Sequence, residues 1–535
     1  MKLKINLIIL LLIISTCCYA QDWKSYPYSP SGQIEFPLDE GRHTSEPIEW
    51  WYSAGHVVGQ TSGKNYSFMY TFFYYPQSGF DGFRILNITD DDTGTFFQDV
   101  KPVNYTTLST TSFDIEANVF LGGVEHWRNK EDVSNQPIPF EYELSAAIGT
   151  GGLDLEFVTL KRPLILGDDG YLNQGIANYT YYFSQTKNDV TGTLTFNGVT
   201  EPVIGTGWID RQYGDFNPLT GEKYEWFSMQ LSNGMDINLW NIFTADRQIP
   251  NTQEYKILSA YVDESTQYTI SDFEIERLAF NCMPDDAMCY SKQWRLTSIT
   301  NNLDLTITTL HDNTEVQLPF RFFEGATNIT GTVNGNPVTG IGFAELLHDY
   351  EDPDITITSP SGGVYETSMP ITWDLNNPDD GRPVFYDVEY SIDNQANFTS
   401  IVQGLTSPSF LWTNAPISNG DEVWFKIIAY SIDGTLTNTI ISSSASSATL
   451  ALHQIENNHF KLFPNPVGEL LTLQLAQNAT EGLYEIFDVK GRSVLKSKDF
   501  EGSIIEIDTE YLAAGVYYLR VTTNGSRATQ KFIKN

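Results

Sequence analysis

The segment Gly205–Gly214 contains adjacent charged residues inside an apolar and aromatic run. Successive side chains of a β-strand point to opposite faces, so Trp208, Asp210 and Gln212 share one face. Arg211 lies on the other. Whichever face points inward, an ionisable group is buried with it. A buried charge must be paired, neutralised or functional.

Two interpretations follow, and the sequence leaves both open. In the first, Arg211 is buried and pairs with Glu49, which lies in the earlier run Glu-Trp-Trp-Tyr, as a structural ion pair. In the second, Asp210 faces an aromatic cavity. Burial there raises the pKa of its carboxyl, so that the side chain can donate a proton.

Other chemistry has little support in the sequence. The sequence contains no signature of a serine hydrolase, zinc peptidase, phosphate-binding loop or dinucleotide site in a context where it could function. The seven His residues are not spaced as metal pairs, and Asp90-Asp91-Asp92 favours a solvated hairpin turn over a calcium loop. We therefore expect no metal and no cofactor.

The ends of the chain indicate export. Residues 1–20 combine Lys2 and Lys4 with an apolar run and a small-residue cleavage pattern, as a signal peptide does. No later stretch is long enough to predict a transmembrane segment. In this compartment Cys282 and Cys289 are expected to form a small disulfide loop.

Composition limits the partners. The net charge of −36 makes nucleic acid and anionic lipid surfaces poor partners. Short alternating runs rich in aromatic and β-branched residues, separated by Gly, Asn, Asp and Pro, predict an all-β protein. A chain of 535 residues is too long for one core. Residues 353–452 have the length and tryptophan content of an immunoglobulin or fibronectin III-like sandwich.

Residues 459–535 resemble a known targeting domain. They contain Phe463-Pro464-Asn465-Pro466, then Tyr484–Asp488, Gly491-Arg492 and Leu512–Tyr518. This order resembles the type A C-terminal sorting domain of the type IX secretion system. The resemblance implies the secretion machinery as a partner, and a Bacteroidetes-type bacterium that releases the protein or attaches it to its outer surface.

A second resemblance covers residues 35–350. Its ordered motifs are Glu49–Tyr52 with Gly55-His56, the Gly-x-Trp-Ile-Asp-Arg segment, Trp226–Leu231, Gln293–Leu296 and Gly342–Leu346. They resemble the lipocalin-like AttH and carotenoid 1,2-hydratase family. The family implies two tandem lipocalin-like β-barrels, divided here as residues 21–195 and 196–352. It also implies an apolar pocket for an elongated hydrophobic molecule.

In the hydratase branch an acid in this segment protonates an alkene, and the resemblance assigns that role to Asp210. Aromatic faces stabilise the resulting cation, which suits Trp208, Tyr181 and Phe183. Trp226 and Gln212 complete the expected ligand-binding set. This chain has Asp-Arg-Gln-Tyr where family members often have Asp-His-Glu-Trp.

Three functions remain as hypotheses. The first is a hydratase-, lyase- or isomerase-like enzyme acting on a hydrophobic small molecule such as an isoprenoid or lipid, with Asp210 as general acid. The second is an extracellular binder of such molecules that performs no proton transfer. The third is a surface interaction protein whose aromatic strands are only core.

Overall fold

A computed structural model describes residues 23–77, 79–317, 320–366, 369–377, 380–413, 415–449, 460–523 and 526–535. The signal peptide expected at residues 1–20 lies outside these residues. The described part of the chain contains β-strands and two short 3-10 helices, Leu38–Glu40 and Pro218–Thr220, but no α-helix. The all-β prediction is therefore confirmed.

The first unit is a closed ten-stranded barrel, here called the first barrel. Its strands follow the order β11-β12-β1-β2-β3-β4-β5-β6-β7-β8, and β8 pairs again with β11 to close the cylinder. Two short strands, β9 and β10, also pair with β11. The strands are β1 Ile48–Gly59, β2 Asn65–Gln77, β3 Phe80–Asp90, β4 Thr95–Leu108, β5 Asp114–Val119, β6 Val124–Glu131, β7 Pro137–Ile148, β8 Gly151–Thr159, β9 Leu164–Ile165, β10 Tyr171–Gln174, β11 Asn178–Phe196 and β12 Val199–Asp215.

The second unit, the half-barrel, is an open sheet ordered β16-β15-β14-β13-β22-β21-β19-β18-β17, with β20 paired to β21. Within the described strands, the two edges of this sheet do not pair with each other. The strands are β13 Lys223–Leu231, β14 Asp236–Phe243, β15 Lys256–Asp263, β16 Thr266–Ile270, β17 Glu274–Cys282, β18 Cys289–Ser298, β19 Leu303–Thr309, β20 Glu315–Val316, β21 Phe322–Val333 and β22 Asn336–Leu346.

The boundary between these units lies later than the division expected after residue 195. Strand β12 forms a ladder with β1 on one side and β11 on the other, so the first barrel extends to Asp215. The turn at residues 197–198 joins two strands of one sheet. A turn signal alone does not distinguish a hairpin from a domain boundary.

Two smaller β units follow. Residues 355–449 form a three-stranded and a six-stranded sheet around one core, and residues 460–534 form a five-stranded sheet. Their strands are β23 Ile355–Ser359, β24 Gly363–Glu366, β25 Pro370–Leu375, β26 Val384–Ser391, β27 Thr399–Leu405, β28 Ser409–Leu411, β29 Glu422–Ser431, β30 Thr437–Ile441, β31 Ser446–Thr449, β32 Phe460–Phe463, β33 Leu470–Asp488, β34 Ser493–Asp508, β35 Gly515–Thr523 and β36 Ser526–Lys534.

A buried ion pair closes one end of the first barrel. Glu49 on β1 accepts from the guanidinium groups of Arg211 and Arg42, and from the backbone N–H of His43 at 2.7 Å. The Arg211 guanidinium also lies 4.1 Å from the centre of the Trp51 ring. Burial alone would raise the pKa of Glu49, but Arg211 and the other donors outweigh it, and the pKa is lowered.

The half-barrel contains a comparable buried glutamate. Glu225 on β13 accepts from Arg277 at 2.5 Å, from the Tyr350 hydroxyl at 2.8 Å and from the Trp294 indole at 3.2 Å. Both glutamates directly precede a tryptophan, Trp50 or Trp226. Cys282 and Cys289, at the paired ends of β17 and β18, form a disulfide.

Removing Glu49 should destabilise the protein strongly. Glu49→Ala leaves Arg42 and Arg211 buried without their carboxylate, and breaking a buried pair in this way costs about 3–5 kcal/mol. Denaturant unfolding followed by tryptophan fluorescence measures the loss. The surface pair of Arg295 and Asp304 provides the matched control, because both side chains are about half exposed. Asp304→Ala should cost less than about 1 kcal/mol. Equal losses would contradict the structural role of the Glu49 pair.

Candidate functional site

The candidate site lies where the first barrel packs against the half-barrel. Each unit has its own interior core, and a third apolar cluster lies between the two sheets. This cluster, here called the interface, receives Tyr52, Trp208 and Tyr182 from the first barrel, and Trp226 and Trp240 from the half-barrel. The site is therefore built between two sheets and outside the barrel interior.

Strand β12 separates the two environments. Ile209 packs in the interior core of the first barrel, and Arg211 pairs with Glu49 at its end. Trp208 and Asp210 point the other way, into the interface. The segment before them carries glycine because β1 runs very close: a Cβ at Gly205 would lie 1.9 Å from the His56 carbonyl oxygen.

Neutral donors hold the Asp210 carboxyl. Tyr182 donates its hydroxyl to Oδ2 at 2.5 Å, and the Trp208 indole donates to Oδ1 at 2.6 Å. Only 2% of Asp210 is exposed, and none of the described ion pairs gives it a Lys, Arg or His partner. Burial raises its pKa to about 7, against the opposing effect of its hydroxyl and indole donors.

The half-barrel completes the hydrogen-bond network. Asn238 on β14 donates to the Tyr182 hydroxyl at 2.8 Å, and its own carbonyl accepts from the Trp226 indole at 3.2 Å. Trp226 in turn meets the Tyr52 ring edge to face, with centroids 5.3 Å apart. Burial and the Asp210 charge keep the pKa of Tyr182 well above its ordinary value, so this phenol stays neutral.

The expected ligand-binding residues divide into two groups. Gln212 shares the Trp208 face of β12 and donates to Gln174 at 3.1 Å. Trp208 and Trp226 face the interface. Tyr181 and Phe183 do not.

Tyr181 stacks on Tyr213, and Phe183 packs against Phe36 in a cluster at the end of the first barrel. The β11–β12 register explains why these two residues do not face the interface. Ser184 lies opposite Asp210, so Phe183 lies opposite Arg211 and shares its face.

Several interface residues had no assigned role in the sequence. Tyr182 lies between Tyr181 and Phe183, the two residues expected to bind the ligand, and only the β11–β12 register distinguishes the three. Glu345 lies in the family motif Gly342–Leu346, but Glu324 and Asn238 lie in runs without any distinguishing signal. Glu324 accepts from the Tyr52 hydroxyl at 2.9 Å.

A small cavity lies beside Trp208. Its volume is about 10 Å³, and His56, Ser228, Gln230 and Phe343 contribute to its lining. A cavity of this size holds about one water molecule. Burial lowers the pKa of His56 to about 4, so its imidazole is neutral, and its Nε2 has no hydrogen-bond partner among the described residues.

The part of the chain that the structure describes contains no group of three or more His, Cys, Asp or Glu side chains suited to a metal. It also contains no helix long and apolar enough to cross a membrane. The Asp90–Asp92 turn is occupied by other contacts. Lys64 pairs with Asp90 at 2.6 Å, and His311 of the half-barrel approaches the Asp91 carbonyl at 3.1 Å.

The fold and the interface define a lipocalin-like β-barrel protein. Residues 27–350 match the AttH-like family, and the chain belongs to that family. Residues 461–535 match the secretion system C-terminal sorting domain, which indicates secretion and attachment to the cell surface of a Bacteroidetes-type bacterium. No curated protein matches the chain.

One solved structure supports the fold. A crystal structure described as an AttH from Nitrosomonas europaea is 21% identical, with a TM-score of 0.50, and covers 60% of this chain and 99% of its own. Kievitone hydratase from Nectria haematococca is 16% identical, with a TM-score of 0.48, and covers 61% of this chain and 98% of its own.

The pKa of Asp210 predicts a specific pH dependence of stability. The folded pKa is about 7 and the unfolded value is near 3.9, so the native state alone holds the proton between these values. Stability is therefore lost as the pH rises through this window. Asp210→Asn removes the loss, so its stability relative to wild type should increase by about 2–3 kcal/mol from pH 5 to pH 8. Denaturant unfolding of both proteins at both pH values measures the difference. An equal stability difference between Asp210→Asn and wild type at pH 5 and pH 8 would contradict the raised pKa of Asp210.

Proposed function

We propose that the interface binds a hydrophobic small molecule, such as an isoprenoid or lipid, and that Asp210 protonates it in a hydratase- or isomerase-type reaction. The observation that carries this proposal is the uncompensated carboxyl. Asp210 is buried among aromatic rings, receives only neutral donors, and has a pKa of about 7. An acid with such a pKa is suited to proton transfer near neutral pH.

The surroundings support chemistry through a cation. Protonation of an alkene carbon forms a C–H bond with the Asp210 proton and leaves the positive charge on the neighbouring, more substituted carbon. The rings of Trp208, Trp226 and Tyr52 meet in the same cluster. Their faces stabilise a cation without taking a proton from it. Addition of water followed by loss of a proton gives hydration, and loss of a neighbouring C–H proton gives isomerisation.

Binding requires the interface to open. The cavity beside Trp208 has room for about one water molecule, so an isoprenoid displaces side chains such as Trp226 or Phe343. Aromatic residues at the junction of two units are suited to such movement, because domain interfaces separate more easily than single cores. The same opening would bring the alkene to the Asp210 carboxyl.

A specific observation favours a second function, capture of the molecule without conversion. The residue after Asp210 is Arg211, and its guanidinium is committed to Glu49 on the opposite face. Strand β12 therefore supplies one proton-transfer group where the common family pattern also supplies His and Glu. A binding protein would use the aromatic interface alone.

Deuterium incorporation separates these functions. The purified protein is incubated in D2O with geranylgeraniol, a defined isoprenoid alkene, and with lipid extract, and the products are analysed by mass spectrometry. Wild type should form deuterated or hydrated product. Asp210→Asn should be slower by about 10²–10⁴-fold, the usual contribution of a general acid, and should still retain the ligand.

The matched control is Glu40→Gln. Glu40 is also buried, accepts from Tyr26 and Tyr142, and has a pKa raised by burial to about 7, but it lies at the end of the first barrel. This variant should keep the wild-type rate. Retention of ligand without product by all three proteins would support the binder. Product formation by Asp210→Asn at the wild-type rate would refute the role of Asp210.

A further inference from the structure

A second carboxyl site lies in the interface. Glu324 on β21 and Glu345 on β22 are direct partners in the β21–β22 ladder, so their side chains share one face of the half-barrel. Tyr52 from the first barrel donates to Glu324 at 2.9 Å, and Tyr224 from β13 donates to Glu345. The two carboxyls therefore face the first barrel together.

The pair has no cation. Glu324 is 2% exposed, and none of the described ion pairs gives either carboxyl a Lys, Arg or His partner. Burial raises the pKa of Glu324, and the neighbouring Glu345 charge raises it further; burial also raises the pKa of Glu345. Two neighbouring carboxylates cannot both ionise readily, because each negative charge disfavours the other.

Asp210 and the pair belong to one electrostatic unit. After burial, the charges of Glu324, Glu345 and Asp210 all contribute to the raised pKa of Tyr52. The Glu345 charge also raises the pKa of Asp210. The titratable groups that face the pair are thus Tyr52 on β1, Asp210 on β12 and Tyr224 on β13, and both phenols stay neutral.

Unpartnered polar atoms point independently to a ligand. Among the described residues, the Thr71 hydroxyl has no hydrogen-bond partner; it lies directly opposite Tyr52 on β2 and is 1% exposed. Neither amide atom of Asn87, opposite Met69 on β3, has a partner there either. Buried polar atoms are almost always bonded, so this group on the interface side of the first barrel is suited to polar atoms of a bound molecule or its water.

We propose that Glu324 and Glu345 share one proton and form the proton acceptor of the interface, opposite the donor Asp210. The inference rests on the proposed function and extends it. It assigns to the half-barrel the base that β12 lacks. The preferred ligand then has an apolar body for the tryptophans and a hydroxyl or carbonyl group for Thr71 and Asn87.

The proton balance is complete with water as the only co-reactant. Asp210 gives its O–H proton to an alkene carbon and becomes a carboxylate, and the neighbouring carbon becomes cationic. Water forms a C–O bond to that carbon and transfers its extra proton to the Glu324–Glu345 pair, which becomes fully protonated. Return of this proton to Asp210 restores the starting state. In isomerisation the pair takes a neighbouring C–H proton instead.

The reaction rate and its pH profile test whether the Glu324–Glu345 pair accepts the proton. Wild type, Asp210→Asn, Glu324→Gln, Glu345→Gln and the control Glu40→Gln are compared as full-length proteins with geranylgeraniol in D2O. Glu345→Gln should lower kcat by about 10²–10⁴-fold with retained binding, and should remove the acidic limb of the pH–rate profile. An unchanged rate and limb, with Asp210→Asn inactive, would overturn the acceptor and leave the proposed function intact. An active Asp210→Asn would overturn the proposed function.

A measurement without ligand keeps the inference testable if no conversion is found. Infrared spectra at neutral pH compare Asp210→Asn with the double variant Asp210→Asn/Glu324→Gln, so the carboxyl of Asp210 does not contribute. Loss of one protonated-carboxyl band in the double variant supports the shared proton. Identical bands, with both variants folded by circular dichroism, would overturn it.

Discussion

Burial of Asp210 between two packed sheets, with no compensating cation among the described residues, is the constraint on which the site depends. Its neighbour Arg211 faces the opposite side of β12, where Glu49 neutralises it. The alternation of a strand thus sends adjacent opposite charges into separate environments, where neither can neutralise the other. Arg211 stabilises the barrel end, and Asp210 retains a proton near neutral pH. The two charges thus lie on different faces of one strand: Arg211 pairs with Glu49, and Asp210 lies among the aromatic residues of the interface.

The location between units has consequences for binding. An interior barrel site is fixed by the strands that surround it, whereas this interface is assembled from two sheets. Its network crosses the junction through Asn238 to Tyr182 and Ser184 and through Tyr52 to Glu324. These contacts hold the two units in register and place the carboxyls of both units around the same aromatic rings. Separation of the sheets by a ligand would break these bonds, so the ligand must replace them.

Sequence patterns predicted the strands and the sorting domain, because period two and motif order are local properties. They gave the pairing of Glu49 with Arg211 as one of two open interpretations. They also placed Trp208 on the face of Asp210. They could not choose between Tyr182 and its neighbours Tyr181 and Phe183, since that choice depends on the register between β11 and β12. Glu324 and Glu345 become neighbours only through the β21–β22 ladder, and the covered face of β12 is set by packing of the half-barrel. Neither fact can be predicted from the spacing of residues in the sequence.

Direct titration of Asp210 tests the central claim. Carbon-13 NMR of protein labelled at the aspartate carboxyl carbons, with Asp210→Asn used to assign the signal, follows this group alone across the pH range. The structure predicts an apparent pKa of about 7. A pKa near 4, the ordinary value of an exposed aspartate, would show that the carboxyl is ionised at neutral pH and would contradict its role as a proton donor.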